Sequence, residues 1–156
     1  MDYLTIKFIH ILSSTLLLGT GLGIAFFMFA AHKSKDVYLI ARVSSFVVWA
    51  DTLFTAPAVV IQLLTGLWLT HLLGIPLSVF WVKTSLLLFF VVGMCWLPVV
   101  YLQIKARNLA RQSLKNNSPL PKKYDQVMRW WFVLGWPAFI AVVVVFYLMV
   151  HKPVSF

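Results

Sequence analysis

Residues 130–150 read WWFVLGWPAFIAVVVVFYLMV, a stretch without a single charged side chain. An α-helix rises about 1.5 Å per residue, so about 20 apolar residues cross the ~30 Å hydrocarbon core of a bilayer. Three similar stretches occur at roughly 4–31, 46–73 and 77–102. Backbone groups in lipid must be paired internally, which favours helices, and the short alternating strands of a β-barrel are not seen. The sequence therefore predicts an all-α fold, an integral membrane four-helix antiparallel bundle.

The composition supports this fold class. The chain of 156 residues is 62% hydrophobic and 11% charged, whereas soluble domains are about 45–50% apolar and about 25% charged. The net charge of +9 does not indicate nucleic-acid binding, because the basic residues cluster at the ends of the apolar stretches. We expect a single transmembrane domain over residues 1–156, with helices at about 3–32, 44–73, 77–112 and 125–151.

The distribution of Lys and Arg predicts the orientation. Ten of the 13 basic residues fall in or beside the first and third loops. They are Lys33, Lys35, Arg42, Lys105, Arg107, Arg111, Lys115, Lys122, Lys123 and Arg129. Basic loops are retained in the cytoplasm, so we expect both chain termini on the non-cytoplasmic side.

The first candidate site residue is His10, which lies inside the first apolar stretch. Ser14 and Gly21 share its helical face, and Gly19 and Gly23 form a G-x-x-x-G pair. In one interpretation His10 is hydrogen-bonded between closely packed helices. In the other it is a metal ligand, binding haem iron axially while the glycines leave room for the macrocycle. Its second ring nitrogen would then need a partner such as Ser13, Ser14 or a carbonyl.

The second candidate is Lys83, about one turn inside the third predicted helix. The topology places it at a depth similar to that of His10, in the same leaflet. Lys83 either extends to the lipid headgroups or holds an anionic group, such as a haem propionate, in a pocket.

A polar stripe follows the second predicted helix at spacings of 4, 3, 4 and 3. Its members are Asp51, Thr55, Ala58, Gln62 and Thr65. This periodicity puts them on one helical face that should point into the bundle. Asp51 either forms a structural ion pair with a base such as Arg42, Arg107 or Arg129, or begins a proton or substrate relay.

Aromatic residues and prolines give two further expectations. Trp49, Trp81, Trp130 and Trp131 are near the ends of the predicted helices, which is typical of membrane-interface belts. Three prolines fall inside helices, where each leaves a carbonyl unpaired and can bend the axis; these are Pro57, Pro98 and Pro137.

Nearly the whole chain resembles a family of small bacterial membrane proteins, domain-of-unknown-function family 2269. The matching segments are Lys7-Phe-Ile-His10, Gly19-Thr-Gly-Leu-Gly23, Ala50-Asp-Thr-Leu-Phe-Thr-Ala-Pro57, Trp96-Leu-Pro-Val-Val-Tyr-Leu-Gln103 and Gly135-Trp-Pro-Ala-Phe139. The resemblance implies a multi-pass protein of the bacterial cytoplasmic (inner) membrane, and no activity.

The chain is more distantly similar to HemJ-type protoporphyrinogen oxidases and to CopD-like membrane proteins. The similarity rests on Lys7-Phe-Ile-His10, Phe26-Phe-Met-Phe-Ala-Ala-His32, Pro57-Ala58, Gly66-Leu-Trp-Leu69 and Trp81-Val-Lys83. It implies haem b bound through His10, with Lys83 required for activity.

Three functional hypotheses follow. The protein binds haem b and has an oxidoreductase or electron-transfer role, with His10, Ser14, Gly21 and Lys83 at the cofactor and Lys83 and Asp51 in catalysis. Alternatively it transports a small ion or a metal such as copper, or it is a structural assembly factor without chemistry. The sequence leaves open whether it is an enzyme. The expected partners are the lipid bilayer, haem or a porphyrin, and a further copy of the chain.

Overall fold

The structure is a computed structural model that describes residues 2–153. Its elements are α1 (Tyr3–Ser34), α2 (Val37–Ala50), a π-helical segment (Asp51–Thr55), α3 (Ala56–Leu72), α4 (Phe80–Lys115) and α5 (Lys122–His151). The second, third and fourth of these run on as one span, Val37–Leu72, so four spans are long and apolar enough to cross a membrane. The predicted all-α membrane bundle is confirmed.

Two connections are shorter than the sequence suggested. The second span begins at Val37 instead of near residue 44, because Oδ1 of Asp36 accepts the N–H groups of Tyr38 and Leu39 at 2.8 and 3.3 Å. Such a cap satisfies N–H groups that have no partner within the helix. Between α4 and α5 only residues 116–121 are non-helical, since α4 continues for several residues beyond its apolar part.

The bundle has two dissimilar ends. We call the end that holds residues 35–36 and 116–121 the basic end, and the end that holds Asp2, Pro153 and the 73–79 loop the terminal end. In the half near the basic end, all four spans contribute to one apolar core. Its buried members are Ile24, Met28, Ala31, Ile40, Ala41, Val47, Val99, Ala106, Ala110, Tyr124, Val127, Met128 and Trp131.

The half near the terminal end is built from two helix pairs. Helix α3 packs on α1, and α4 packs on α5, whereas α3 makes no comparable contact with α4 or α5. The α4–α5 pair has a small apolar cluster around Trp81, Val82 and Leu148. The polar stripe of the second span lies along the other pair.

The π-helical segment lies in the middle of the second span, just before Pro57. The N–H of Ala56 bonds to the carbonyl of Asp51, five residues back. Proline has no N–H and its ring needs room in the preceding turn, which the wider π turn provides. The predicted irregularity at Pro57 is therefore a π-helical turn, which contains one residue more than an α-helical turn.

The tryptophans divide into two groups. Trp49 and Trp130 are mostly exposed, as expected for an interface belt. Trp81 and Trp131 are buried, with Trp131 in the basic-end core, so the belt interpretation is wrong for these two. A position near a helix end indicates depth in the membrane, but it does not indicate which way a side chain faces.

Candidate functional site

The half-buried His10 is held at the α1–α3 interface by side chains of α3. Its Nδ1 lies 2.9 Å from Oγ1 of Thr65, and its Nε2 lies 3.1 Å from Nε2 of Gln62. Ser13 completes the group, because its hydroxyl bonds to Oε1 of Gln62 and lies 3.0 Å from the carbonyl of His10. We call these four residues the His10 cluster.

The hydrogen bonds of the cluster determine the tautomer of His10. The Thr65 hydroxyl donates its one hydrogen to the carbonyl of Ile61 at 2.6 Å, so it can only accept from His10. Nδ1 of His10 therefore carries the proton. Nε2 is left with a lone pair, which accepts from the amide nitrogen of Gln62. The Gln62 orientation agrees, because its carbonyl oxygen faces the Ser13 hydroxyl.

The glycine that the imidazole requires is Gly66. A Cβ at Gly66 would lie 3.1 Å from Cε1 of His10, whereas a Cβ at Gly21 would meet nothing within 4 Å. The absence of a side chain at Gly66 therefore lets the ring lie against α3. The sequence analysis gave Gly21 a different role, that of leaving room for a macrocycle, and did not identify Gly66 as the glycine beside the ring. The sequence feature that could have pointed to Gly66 is its position directly after Thr65, a member of the inward stripe.

Ser14 lies outside the cluster. Its hydroxyl donates to the carbonyl of Ile11 at 2.7 Å, so its hydrogen-bond partner lies within α1. Of the partners suggested for the His10 ring, Ser13 acts through Gln62 and Ser14 makes no contribution. Sequence reasoning placed Gln62 and Thr65 on an inward face, but it did not identify them as the partners of His10.

Lys83 is not brought to the His10 cluster. It is exposed at the first turn of α4, and its ammonium group has no hydrogen-bond or ion-pair partner among residues 2–153. Every partner of His10 comes from α1 or α3. The nearby Trp81 ring instead has the ammonium group of Lys152 5.8 Å from its centroid.

The inward direction of the stripe is confirmed, but the predicted ion pair of Asp51 is wrong. Asp51 is 4% exposed, and its Oδ1 accepts from Nε1 of Trp96 at 3.2 Å. Oδ2 of Asp51 and Oγ1 of Thr55 are buried without a partner among the described residues. The bases proposed as partners are exposed or partly exposed, and none forms an ion pair with Asp51 among the described residues. They are Arg42, Arg107 and Arg129.

Trp96 is the functional-site candidate that sequence reasoning missed. It lies near the middle of α4, far from either membrane interface. A buried indole N–H needs an acceptor, and Asp51 needs a donor at about the same depth. This match between a buried donor and a buried acceptor at similar depth could have predicted the Trp96–Asp51 pair from the sequence.

One family is shown by comparison of the sequence with known proteins. A family described as "Predicted integral membrane protein (DUF2269)" matches residues 4–153. The chain belongs to this family. No curated protein and no solved structure matches it. Within residues 2–153 of this DUF2269 protein, no three His, Cys, Asp or Glu side chains are grouped so that they could hold a metal ion.

Proposed function

We propose that the protein binds haem b through Nε2 of His10 and has an oxidoreductase or electron-transfer role. The observation that carries the proposal is the set of hydrogen-bond partners of His10, from which its tautomer is assigned. Iron ligation requires a neutral imidazole with an orienting bond on one nitrogen and a lone pair on the other, and the Gln62 amide would have to leave Nε2 before iron could bind there. Thr65 supplies that orienting bond at Nδ1, and Nε2 holds the lone pair.

The neighbouring residues are compatible with a bound macrocycle. Nε2 is capped by the neutral amide of Gln62, a flexible side chain that can rotate away. In the terminal half α3 does not pack closely on α4 or α5, so a flat group entering beside the α1–α3 pair would not have to break a core shared by all four spans. Lys83 is exposed at the same end and would neutralise a propionate. Haem would supply one-electron redox chemistry.

A metal such as copper bound directly by His10 is less well supported. The other members of the cluster are two hydroxyls and an amide. Copper sites in proteins are instead built from several imidazole, thiolate or thioether groups. The same His10 remains the metal ligand in either case.

Absorption spectroscopy tests the haem proposal. The protein is expressed with haem supplied, purified in mild detergent and examined for a Soret band and a pyridine haemochrome. We expect His10→Ala to lose the band. His71→Ala is the matched control, because His71 is exposed at the same end and should keep it. A colourless wild type, or an unchanged band in His10→Ala, refutes the proposal.

Two further variants separate ligation from simple helix packing. Gln62→Leu removes the cap on Nε2 and should leave haem binding intact or strengthened. Thr65→Val removes the acceptor for Nδ1–H and should shift the Soret band or the reduction potential. A haem signal that is abolished by Gln62→Leu would show that Nε2 is not the iron ligand.

The second candidate function is ion handling along the stripe, with Asp51 as the acidic group. It is favoured by Oδ2 of Asp51 and the hydroxyl of Thr55, which have no partner among the described residues. These two residues begin and end the π-helical segment, a feature frequent at functional sites. Proteoliposomes with a pH-sensitive dye test it under an imposed potential. Proton flux that Asp51→Asn abolishes, and that Asp36→Asn leaves unchanged, supports this function. Equal flux in all three proteins excludes it.

We place the protein in the bacterial inner membrane with the basic end in the cytoplasm and both termini outside. The support is the concentration of Lys and Arg at that end. Single cysteines at Asn116 and at Pro76, in a Cys95→Ser background, test this with a membrane-impermeant maleimide. Labelling of intact cells is expected at position 76 and not at 116, and the reverse pattern would invert the orientation.

A further inference from the structure

A groove of about 250 Å³ opens at the basic end between α4 and α5. Six residues of α4 and Lys123 of α5 line it, and no carboxylate is among them. The groove is remote from the His10 cluster, which lies in the other half of the bundle. It is independent of the haem proposal.

The two charged side chains of the groove are cationic donors, and its amide side chains can both donate and accept. Lys105 leans over the Tyr101 ring, with its ammonium nitrogen 5.6 Å from the ring centroid, and Lys123 faces it from α5. Nε and Nη2 of Arg107 both donate to Oδ1 of Asn108 at 3.2 Å. This fixes the oxygen side of the Asn108 amide, and the amide nitrogen makes no hydrogen bond among residues 2–153, so its hydrogens are available to a ligand. Two ammonium groups and an amide nitrogen favour an anion with several oxygens.

The depth of the groove matches the level of the lipid phosphates. Lys83 and Lys105 are the charged residues that bound the apolar part of α4. At about 1.5 Å per residue they are ~33 Å apart along the helix, close to the ~30 Å thickness of the hydrocarbon core. With Lys83 at one surface of the membrane, Lys105 lies at the other.

An exposed apolar stripe leads from the groove into the membrane. Phe90, Met94, Leu97 and Tyr101 follow each other at spacings of 4, 3 and 4, and are exposed by 61, 76, 65 and 62%. The same face of α4 continues through Lys105, Asn108 and Gln112. Donors at headgroup depth thus lie directly above an uncovered apolar surface.

We propose that this groove binds the phosphate of an anionic phospholipid, with an acyl chain along the exposed stripe of α4. Basic pockets between transmembrane helices are a recognised way of binding acidic headgroups. The stripe distinguishes a lipid from a free phosphate, because a soluble anion would make no use of it.

Native mass spectrometry of the full chain tests the proposal. The protein is released from detergent containing equal amounts of phosphatidylglycerol and phosphatidylcholine, and the retained lipid is identified. The test variant is Lys105→Gln with Lys123→Gln. The matched control is Lys115→Gln with Lys122→Gln, which removes the same charge from exposed residues outside the groove.

We expect the wild type and the control to retain phosphatidylglycerol preferentially. The groove variant should bind it roughly thirtyfold more weakly, since each lysine near the membrane surface contributes about 1 kcal/mol. An equal loss in both double variants would show diffuse attraction and overturn the site. Displacement of the lipid by millimolar inorganic phosphate would identify a soluble anion as the ligand and overturn the proposal as well.

Discussion

The two halves of the bundle are held together by different interactions. Near the basic end, four spans share an apolar core in which Met28 and Ala110 have no exposed surface. Near the terminal end, α1 and α3 are joined by the hydrogen bonds of the His10 cluster and by the close approach at Gly66. Lipid is as apolar as the core, so helices in a membrane associate through packing and polar bonds. Near the basic end this protein relies on packing, and near the terminal end it adds polar bonds between α1 and α3 to the apolar packing of α4 on α5.

The largest expected effect is in the apolar core. Met28→Ala leaves a cavity that four helices cannot close, and we expect it to lower the free energy of unfolding by about 2 kcal/mol. Met94→Ala is the control, because Met94 is 76% exposed and its loss should change stability by less than ~0.5 kcal/mol. Unfolding in mixed micelles measures both. Equal effects would show that the core near the basic end is not tightly packed.

The next largest effect is expected in the terminal half, where Gly66 of α3 lies against the His10 ring. In Gly66→Ala the new Cβ meets Cε1 of His10 at 3.1 Å, so the ring or the helix must shift, at a cost of about 1–2 kcal/mol. Gly21→Ala meets nothing within 4 Å and should stabilise α1 by up to about 1 kcal/mol. The same unfolding assay checks the pair. Identical behaviour of the two variants would remove the distinction between these glycines.

A smaller effect is expected between the halves, where Trp96 bonds to Asp51. Trp96→Phe keeps most of the ring but removes the N–H, and should cost about 1 kcal/mol. Trp130→Phe is the control at an exposed position. Asp51→Asn combined with Trp96→Phe tests the coupling. If the two costs simply add, the hydrogen bond contributes nothing to stability.

The smallest effects are at the helix caps of the two ends. Asp36 caps α2 with two bonds at an exposed position, and Asp36→Ala should cost roughly 0.5–1 kcal/mol. Asp2 caps α1 with a single bond to Thr5 at 3.2 Å, so Asp2→Ala should cost less. Hydrogen bonding from Thr5, first through its side chain and then through its backbone N–H, holds the pKa of Asp2 below its ordinary value. Its contribution is therefore present near neutral pH and is lost as acid protonates the folded carboxylate. A pH titration of α1 helicity, with Asp2→Asn as control, measures this.

The spans and the inward stripe could be predicted because both depend only on the order of residues along one helix. Length against bilayer thickness gives the spans, and a spacing of three and four gives the face. The partners of Asp51 and His10 depend on how two helices are rotated about their own axes, which no single span encodes. This is why Trp96 and Gly66 were missed, and why Trp81 and Trp131 were expected at the surface.

The start of α2 was misplaced for a different reason. Apolar residues mark where the membrane begins, but the helix begins where Asp36 can cap it. The start of this helix is therefore set by a capping side chain outside the apolar stretch. The membrane sets only the minimum length.

Because of the π-helical segment, the His10 cluster depends on the number of residues between α2 and α3. One residue added to a helix turns everything beyond it by about 100°. Thr65 and Gln62 face His10 only with residues 51–55 in a wide turn. Deletion of the exposed Leu53 would restore an ordinary α-helix. It would also rotate α3 about the helix axis by about 100° relative to α2. Composition and hydropathy would hardly change, and the chain would still cross the membrane, but His10 would lose both of its partners.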